Sequence, residues 1–134
     1  PDPTAEDTFL SAKLAWEDRA RSPHSQRLTW YRNILQLRRA EIVPRLARVP
    51  GRAGEYETFA DSCVRVRWRL GDNSRLTLTA NLSRERVRTD GPIAGRVLWR
   101  EGEPADGSGR LGPWSVIWSI EEATSTRAPN ASRS

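Results

Sequence analysis

The 134 residues contain no methionine, one cysteine, one histidine and a single lysine, and each shortage closes off a kind of chemistry. Cys63 as the lone cysteine excludes an internal disulfide and leaves a thiolate metal site without its second ligand. It reads as a half-buried thiol at the start of a strand. With His24 the only imidazole, neither a nucleophile triad nor a histidine metal cluster has members to converge, so His24 reads as a residue at a helix start rather than a general base. No run approaches the roughly 20 apolar residues of a membrane-spanning helix, and no basic-then-apolar opening suggests a signal peptide. A cytoplasmic protein with no membrane partner is therefore expected. The missing methionine and the opening Pro1-Asp2-Pro3 lead to the further expectation that this stretch is a piece of a longer protein.

What is present is arginine and tryptophan. Lys13 is the sole lysine, so 21 of the 22 basic residues are arginine, and the net charge is +5. Such a charge invites a nucleic-acid reading. The arginines are spread over the whole length, however, as solvated positions would be, and no nucleic-acid partner is expected. The apolar fraction of 37% includes six tryptophans, enough for one domain of ordinary size to form a core without metal or disulfide.

Pro1 to Asp7 reads as a loop in which Asp7 or Thr8 caps a short helical turn. Phe9, Leu10, Leu14 and Trp16 follow in a short, partly buried segment, and Pro23 interrupts any helix across the charged connector from Glu17. Leu28, Trp30, Tyr31, Ile34, Leu35 and Leu37 then recur at three- and four-residue spacing, predicting a helix between His24 and Arg39 with Ser25 as its cap. Its apolar sector is wide for a helix lying on a small sheet, which implies packing against something larger.

Beyond Pro44 and Pro50-Gly51 the period changes to two. Val64, Val66, Trp68 and Leu70 alternate with Arg65, Arg67 and Arg69, and Leu76, Leu78, Ala80 and Leu82 alternate with Thr77, Thr79 and Asn81. The turn residues Gly71 to Ser74 join these runs into an antiparallel hairpin. Arg96 to Arg100 is a third strand, Glu101 to Gly112 a mobile loop, and Trp114, Val116, Trp118 and Ile120 share one face of a last strand. Thr124 to Ser134 carries no apolar pattern and reads as disordered.

Chemistry is hard to find. Glycoside hydrolysis needs two carboxylates about 5–9.5 Å apart on rigid elements, whereas Glu101, Glu103 and Asp106 fall in the expected loop and Glu121 and Glu122 trail the last strand. No Gly-rich phosphate loop precedes a helix, since Gly107, Gly109 and Gly112 gather in a linker. Trp68, Trp99, Trp114 and Trp118 read as core residues rather than a sugar platform. The sequons at Asn81 and Asn130 carry no weight without a secretory signal. No catalytic, cofactor-binding or metal-binding residue is expected, and no cofactor.

The order of these segments resembles the C-terminal end of malto-oligosyltrehalose trehalohydrolases, a branch of the α-amylase-like glycosidases. Thr8 to Trp16 is similar to that family's TFxxSKLDW stretch, with Ala12 in place of Ser and Ala15 in place of Asp. Leu28 to Arg39 resembles its last barrel helix, and Val66 to Leu70 and Gly112 to Trp118 resemble its terminal sheet. The resemblance implies a mainly β fold with an N-terminal helix: residues 1–43 as the end of a catalytic TIM-type barrel, 44–122 as a C-terminal antiparallel β-sandwich, and 123–134 as a disordered tail. It implies that the catalytic carboxylates lie in an upstream barrel domain of the same polypeptide, the expected partner. It further implies a parent reaction hydrolysing the α-1,4 bond next to the trehalose end of maltooligosyl trehalose. A free-standing carbohydrate-binding module, or the tail of a related glucan-branching or debranching enzyme, stands as the alternative.

Overall fold

A computed structural model describes residues 2–103 and 109–123. The chain divides into two units, a first ending at Arg38 and a second beginning at Arg39. The proposed tail from Thr124, together with Asp106 and Gly107, lies outside the described residues.

The first unit is helical. Helix α1 spans Glu6–Ala12, a 3-10 turn spans Trp16–Ala20, and helix α2 spans His24–Leu37. The caps differ from expectation. Ala5 precedes α1 and Pro23 precedes α2, neither with a side-chain cap bond, while Ser25 lies inside α2. The Ser25 amide already donates to the Arg21 carbonyl at 2.8 Å and the Arg27 amide to the Pro23 carbonyl at 3.1 Å, so the helical bonding starts ahead of Ser25. The α1 segment was expected to be partly buried, yet Phe9, Leu10, Leu14 and Trp16 are all exposed. Seven residues of helix have too little surface to enclose four large apolar groups. No residue of α2 is buried either. On α2, Trp30 and Tyr31 meet edge to face at 4.8 Å and Arg27 lies over the Trp30 ring; Leu28, Trp30, Ile34 and Leu37 are half-buried, while Tyr31 and Leu35 are exposed.

The second unit opens with a π-helical turn over Arg38–Ile42 and a 3-10 turn over Val43–Arg45. Seven strands follow: β1 Gly54–Phe59, β2 Cys63–Arg69, β3 Arg75–Asn81, β4 Val87–Arg88, β5 Arg96–Glu101, β6 Arg110–Leu111 and β7 Ser115–Glu121. Five of them form an antiparallel sheet in the order β1-β2-β3-β7-β5, and β4 pairs with β6 in a small ribbon. The expected mainly β architecture with helices before it is thus the one found, with two sheets of unequal size.

The β2–β3 register follows from side-chain period. Val64 faces Ala80, Val66 faces Leu78 and Trp68 faces Leu76, and β7 continues these rows with Val116, Trp118 and Ile120. A one-residue slip would send every one of these groups to the opposite face. The best-enclosed cluster is Leu70, Leu76 and Ile120, against which Ile42, Trp68, Leu98 and Trp118 pack. Trp68 and Trp118 stack at 5.7 Å, nearly parallel. A shift of register between Val97 and Trp99 lets β5 bring Leu98 to this cluster.

One strand was not foreseen and two expectations fail here. Strand β1 has no alternation to betray it, because it is an edge strand whose residues are exposed or half-buried. Arg110–Leu111, within the expected loop, forms β6 because Leu111 is almost wholly buried and its neighbours pair with β4. Trp114 does not join the apolar row of β7: it precedes the strand in a left-handed conformation, with φ of 48°, and is 61% exposed.

Candidate functional site

The face of the sheet opposite the tryptophan stack holds most of the polar chemistry. From the hairpin pattern Arg65, Arg67 and Arg69 belong to solvent, yet Arg65 is only 9% exposed. A buried guanidinium must find carboxylates, and Arg65 finds two. Its Nη1 donates to Glu57 Oε1 at 2.7 Å and to Asp90 Oδ2 at 3.0 Å, while Nη2 donates to Asp90 Oδ1. Arg67 Nη2 shares Glu57 Oε1 at 2.8 Å, and Arg65 also lies over the Phe59 ring. Asp90 belongs to the β4–β5 connection, whose Gly91 to Ala94 segment walls an open groove of about 250 Å³ floored by Thr77, Thr79 and Ser119.

A second arginine ties three loops together. Arg45 donates to both oxygens of Glu122 at 2.7 and 3.0 Å, to Asp72 Oδ2 at 2.7 Å, and through Nε to the Glu41 carbonyl at 2.9 Å. Arg96 on β5 donates to both oxygens of the Glu41 carboxylate. Bidentate geometry of this kind fixes orientation as well as charge.

These partners decide what the acids can do. Glu41 and Asp90 are each held below the ordinary carboxylate range by hydrogen bonds from Arg96 and Arg65 respectively, and Glu57 by Arg65 and then Arg67. Burial pushes Asp72 upward, but the Ser74 hydroxyl and amide and the Arg45 guanidinium outweigh it and leave Asp72 below its usual value. A glycosidase acid needs a carboxyl that keeps its proton near neutral pH. Glu41, Glu57, Asp72 and Asp90 are shifted the other way, toward the ionised form. Of the acids considered from sequence, Glu121 pairs with Arg75 at 3.7 Å, Glu122 binds Arg45, Glu103 meets Arg86, and Glu101 accepts from Trp99 Nε1. None faces another across a cleft in these contacts. Among the described residues no group of three or more His, Cys, Asp or Glu side chains is placed to hold a metal. His24 begins α2 as its position suggested.

Cys63 is fully buried rather than half-buried; its thiol donates to Asn81 Oδ1 at 3.7 Å, and burial pushes its pKa up. Asn81 is the centre of a buried network that the sequence does not announce. Its Nδ2 donates to the carbonyls of Glu85 at 2.7 Å and Gly112 at 2.9 Å, and its Oδ1 accepts from the Ser83 amide and hydroxyl. The Ser83 carbonyl in turn accepts from the Trp114 amide at 3.0 Å. The network therefore anchors the backbone from which the exposed Trp114 projects.

Similarity to known proteins agrees with this geometry. A family model described as a domain of unknown function, DUF3459, matches residues 51–118, the run from just before β1 to within β7. A malto-oligosyltrehalose trehalohydrolase from Deinococcus radiodurans is 36% identical over 90 residues, which is 61% of this chain and 15% of that protein. The crystal structure of a candidate α-amylase from Salmonella typhimurium superimposes with a TM-score of 0.79 at 29% identity, covering 91% of this chain and 20% of that one. The chain thus spans well under a quarter of the length of either relative. With half of its residues inside the family model and its fold reproduced in an α-amylase-like protein, the chain belongs to the DUF3459 family, a C-terminal domain of α-amylase-family proteins.

Proposed function

We propose that this chain is the C-terminal accessory part of a glycosidase that hydrolyses the α-1,4 bond next to the trehalose end of maltooligosyl trehalose and releases trehalose. The fragment contributes stability and docking to an upstream barrel of the same polypeptide, which carries the catalytic carboxylates. Residues 1–43 complete that barrel and residues 44–122 form the appended β domain. The observation that carries the reading is the pairing of a trehalohydrolase-like sequence with acids tied into arginine staples. Helix α2 supports the docking role, since its apolar sector is left with no buried residue and burying each large side chain there is worth about 1.5–3 kcal/mol. The reading includes a cytoplasmic setting, with which a single free thiol agrees. No described helix is long and apolar enough to cross a membrane.

The test is product analysis on the whole polypeptide. Given maltooligosyl trehalose and an equal concentration of unmodified maltooligosaccharide, it is expected to release trehalose from the first and leave the second largely intact. Transfer of chains to new branch points, or indiscriminate cleavage of both, assigns it to a related glucan-active enzyme instead.

A further inference from the structure

The one tryptophan of the β unit that leaves its apolar row is also the one in a costly backbone conformation. Trp114 sits at φ of 48° and is 61% exposed, and Leu82, next to the Ser83 that binds its amide, is 59% exposed. The left-handed region disfavours a bulky side chain, so such a residue persists only where its surroundings impose it.

The surroundings here do impose it. Fully buried Asn81 binds Ser83 and the Gly112 carbonyl, Ser115 Oγ also donates to that carbonyl at 2.7 Å, and the Ser83 carbonyl fixes the Trp114 amide. On the other side Gly102, at φ of 84°, lies so close that a Cβ there would fall 2.4 Å from the Trp114 carbonyl oxygen. A buried polar network and a glycine contact thus hold a large aromatic ring out in solvent. Folding stability gains nothing from that exposure. A ring carried on a backbone fixed in this way is ready to stack on a flat apolar ligand face with little backbone freedom left to lose on binding.

We infer that Trp114 is the platform of a surface site for α-glucan chains, stacking on the C–H face of a glucopyranose unit. The inference rests on the glycosidase reading for its choice of ligand, and it goes beyond that reading by assigning a sugar contact to a residue of this chain. A neutral pyranose presents an apolar ring face rimmed by hydroxyls, and the apolar face is the part an exposed indole stacks on.

The experiment is affinity electrophoresis of the whole polypeptide in native gels with and without soluble starch. Wild-type protein is expected to be retarded by starch, Trp114→Ala to lose at least most of the retardation, Trp114→Phe to keep part of it, and Tyr56→Ser, which alters an exposed aromatic on β1, to behave as wild type. Retardation unchanged in Trp114→Ala, or lost equally in Tyr56→Ser, overturns the site. So does a drop of several degrees in the melting temperature of Trp114→Ala, because that reports a ring packed against another part of the protein. If starch retards the wild type through Trp114 but the polypeptide releases no trehalose, the surface site stands and the activity proposed above falls.

Discussion

At the scale of single residues, the second unit is organised by buried polar groups whose partners lie far away in sequence. Asn81 has no exposed surface and joins the ends of β3, β4 and β6 through Ser83, Glu85 and Gly112. Replacing it with alanine removes the acceptor for the Ser83 amide and hydroxyl and a donor from the Glu85 and Gly112 carbonyls, and Asn81→Ala is expected to destabilise the fold by about 2–3 kcal/mol, measured as a lowered denaturant midpoint. Cys63, whose thiol burial pushes upward, is expected to react with a thiol reagent at pH 8 only after denaturant is added; rapid reaction in the native protein would contradict its placement. The sequence hid both roles. Asn81 falls on the polar side of an alternating strand, where solvent is the default expectation, and Arg65 looked solvated for the same reason. Their partners sit up to 31 residues away, and no local pattern marks such pairs. Trp114 misled in the opposite direction: its two-residue spacing from Val116 and Trp118 matched a strand face, but Gly112-Pro113 turns the backbone before the pairing begins at Ser115.

At the scale of elements, periodicity carried most of the information. Strands β2, β3 and β7 and helix α2 each have one face that differs from the other in character, and their bounds follow from it closely. Strand β1, the β4–β6 ribbon and the π turn have no such contrast and stayed invisible. The turn between β2 and β3 gives a sharp test. Gly71 donates its amide to the Arg45 carbonyl, and a Cβ at Gly71 would lie 1.6 Å from the Ala47 carbonyl oxygen. Because backbone must move to admit it, Gly71→Ala is expected to cost about 2–3 kcal/mol, whereas the same change at Gly91, which meets nothing within 4 Å, is expected to cost far less. The arginine staples predict a pH dependence. Glu41, Glu57, Asp72 and Asp90 have folded pKa values below their unfolded ones. Their contribution is therefore complete above the ordinary carboxylate range and is lost as pH falls through the lowered values. Denaturant midpoints are expected to hold steady from about pH 7 to 5 and to decline below about pH 4, less steeply in Asp90→Asn. A decline that begins at pH 6 would contradict the assignment to these pairs.

At the scale of the whole molecule, the chain combines a helical unit without buried side chains among the described residues and a β unit in which Asp72, Asp90 and Glu122 tie loops to arginines. Family membership places it at the end of α-amylase-like proteins. The proposed upstream barrel rests, in the sequence, on the excess apolar width of α2 and on the segments that resemble a barrel's end. The measurement that bears most directly on this account compares trehalose release from maltooligosyl trehalose by the whole polypeptide and by residues 1–134 alone, at equal molar concentration. The account predicts steady release by the whole polypeptide and none above background by the isolated chain; release by the isolated chain, or its absence from the whole polypeptide, would contradict it.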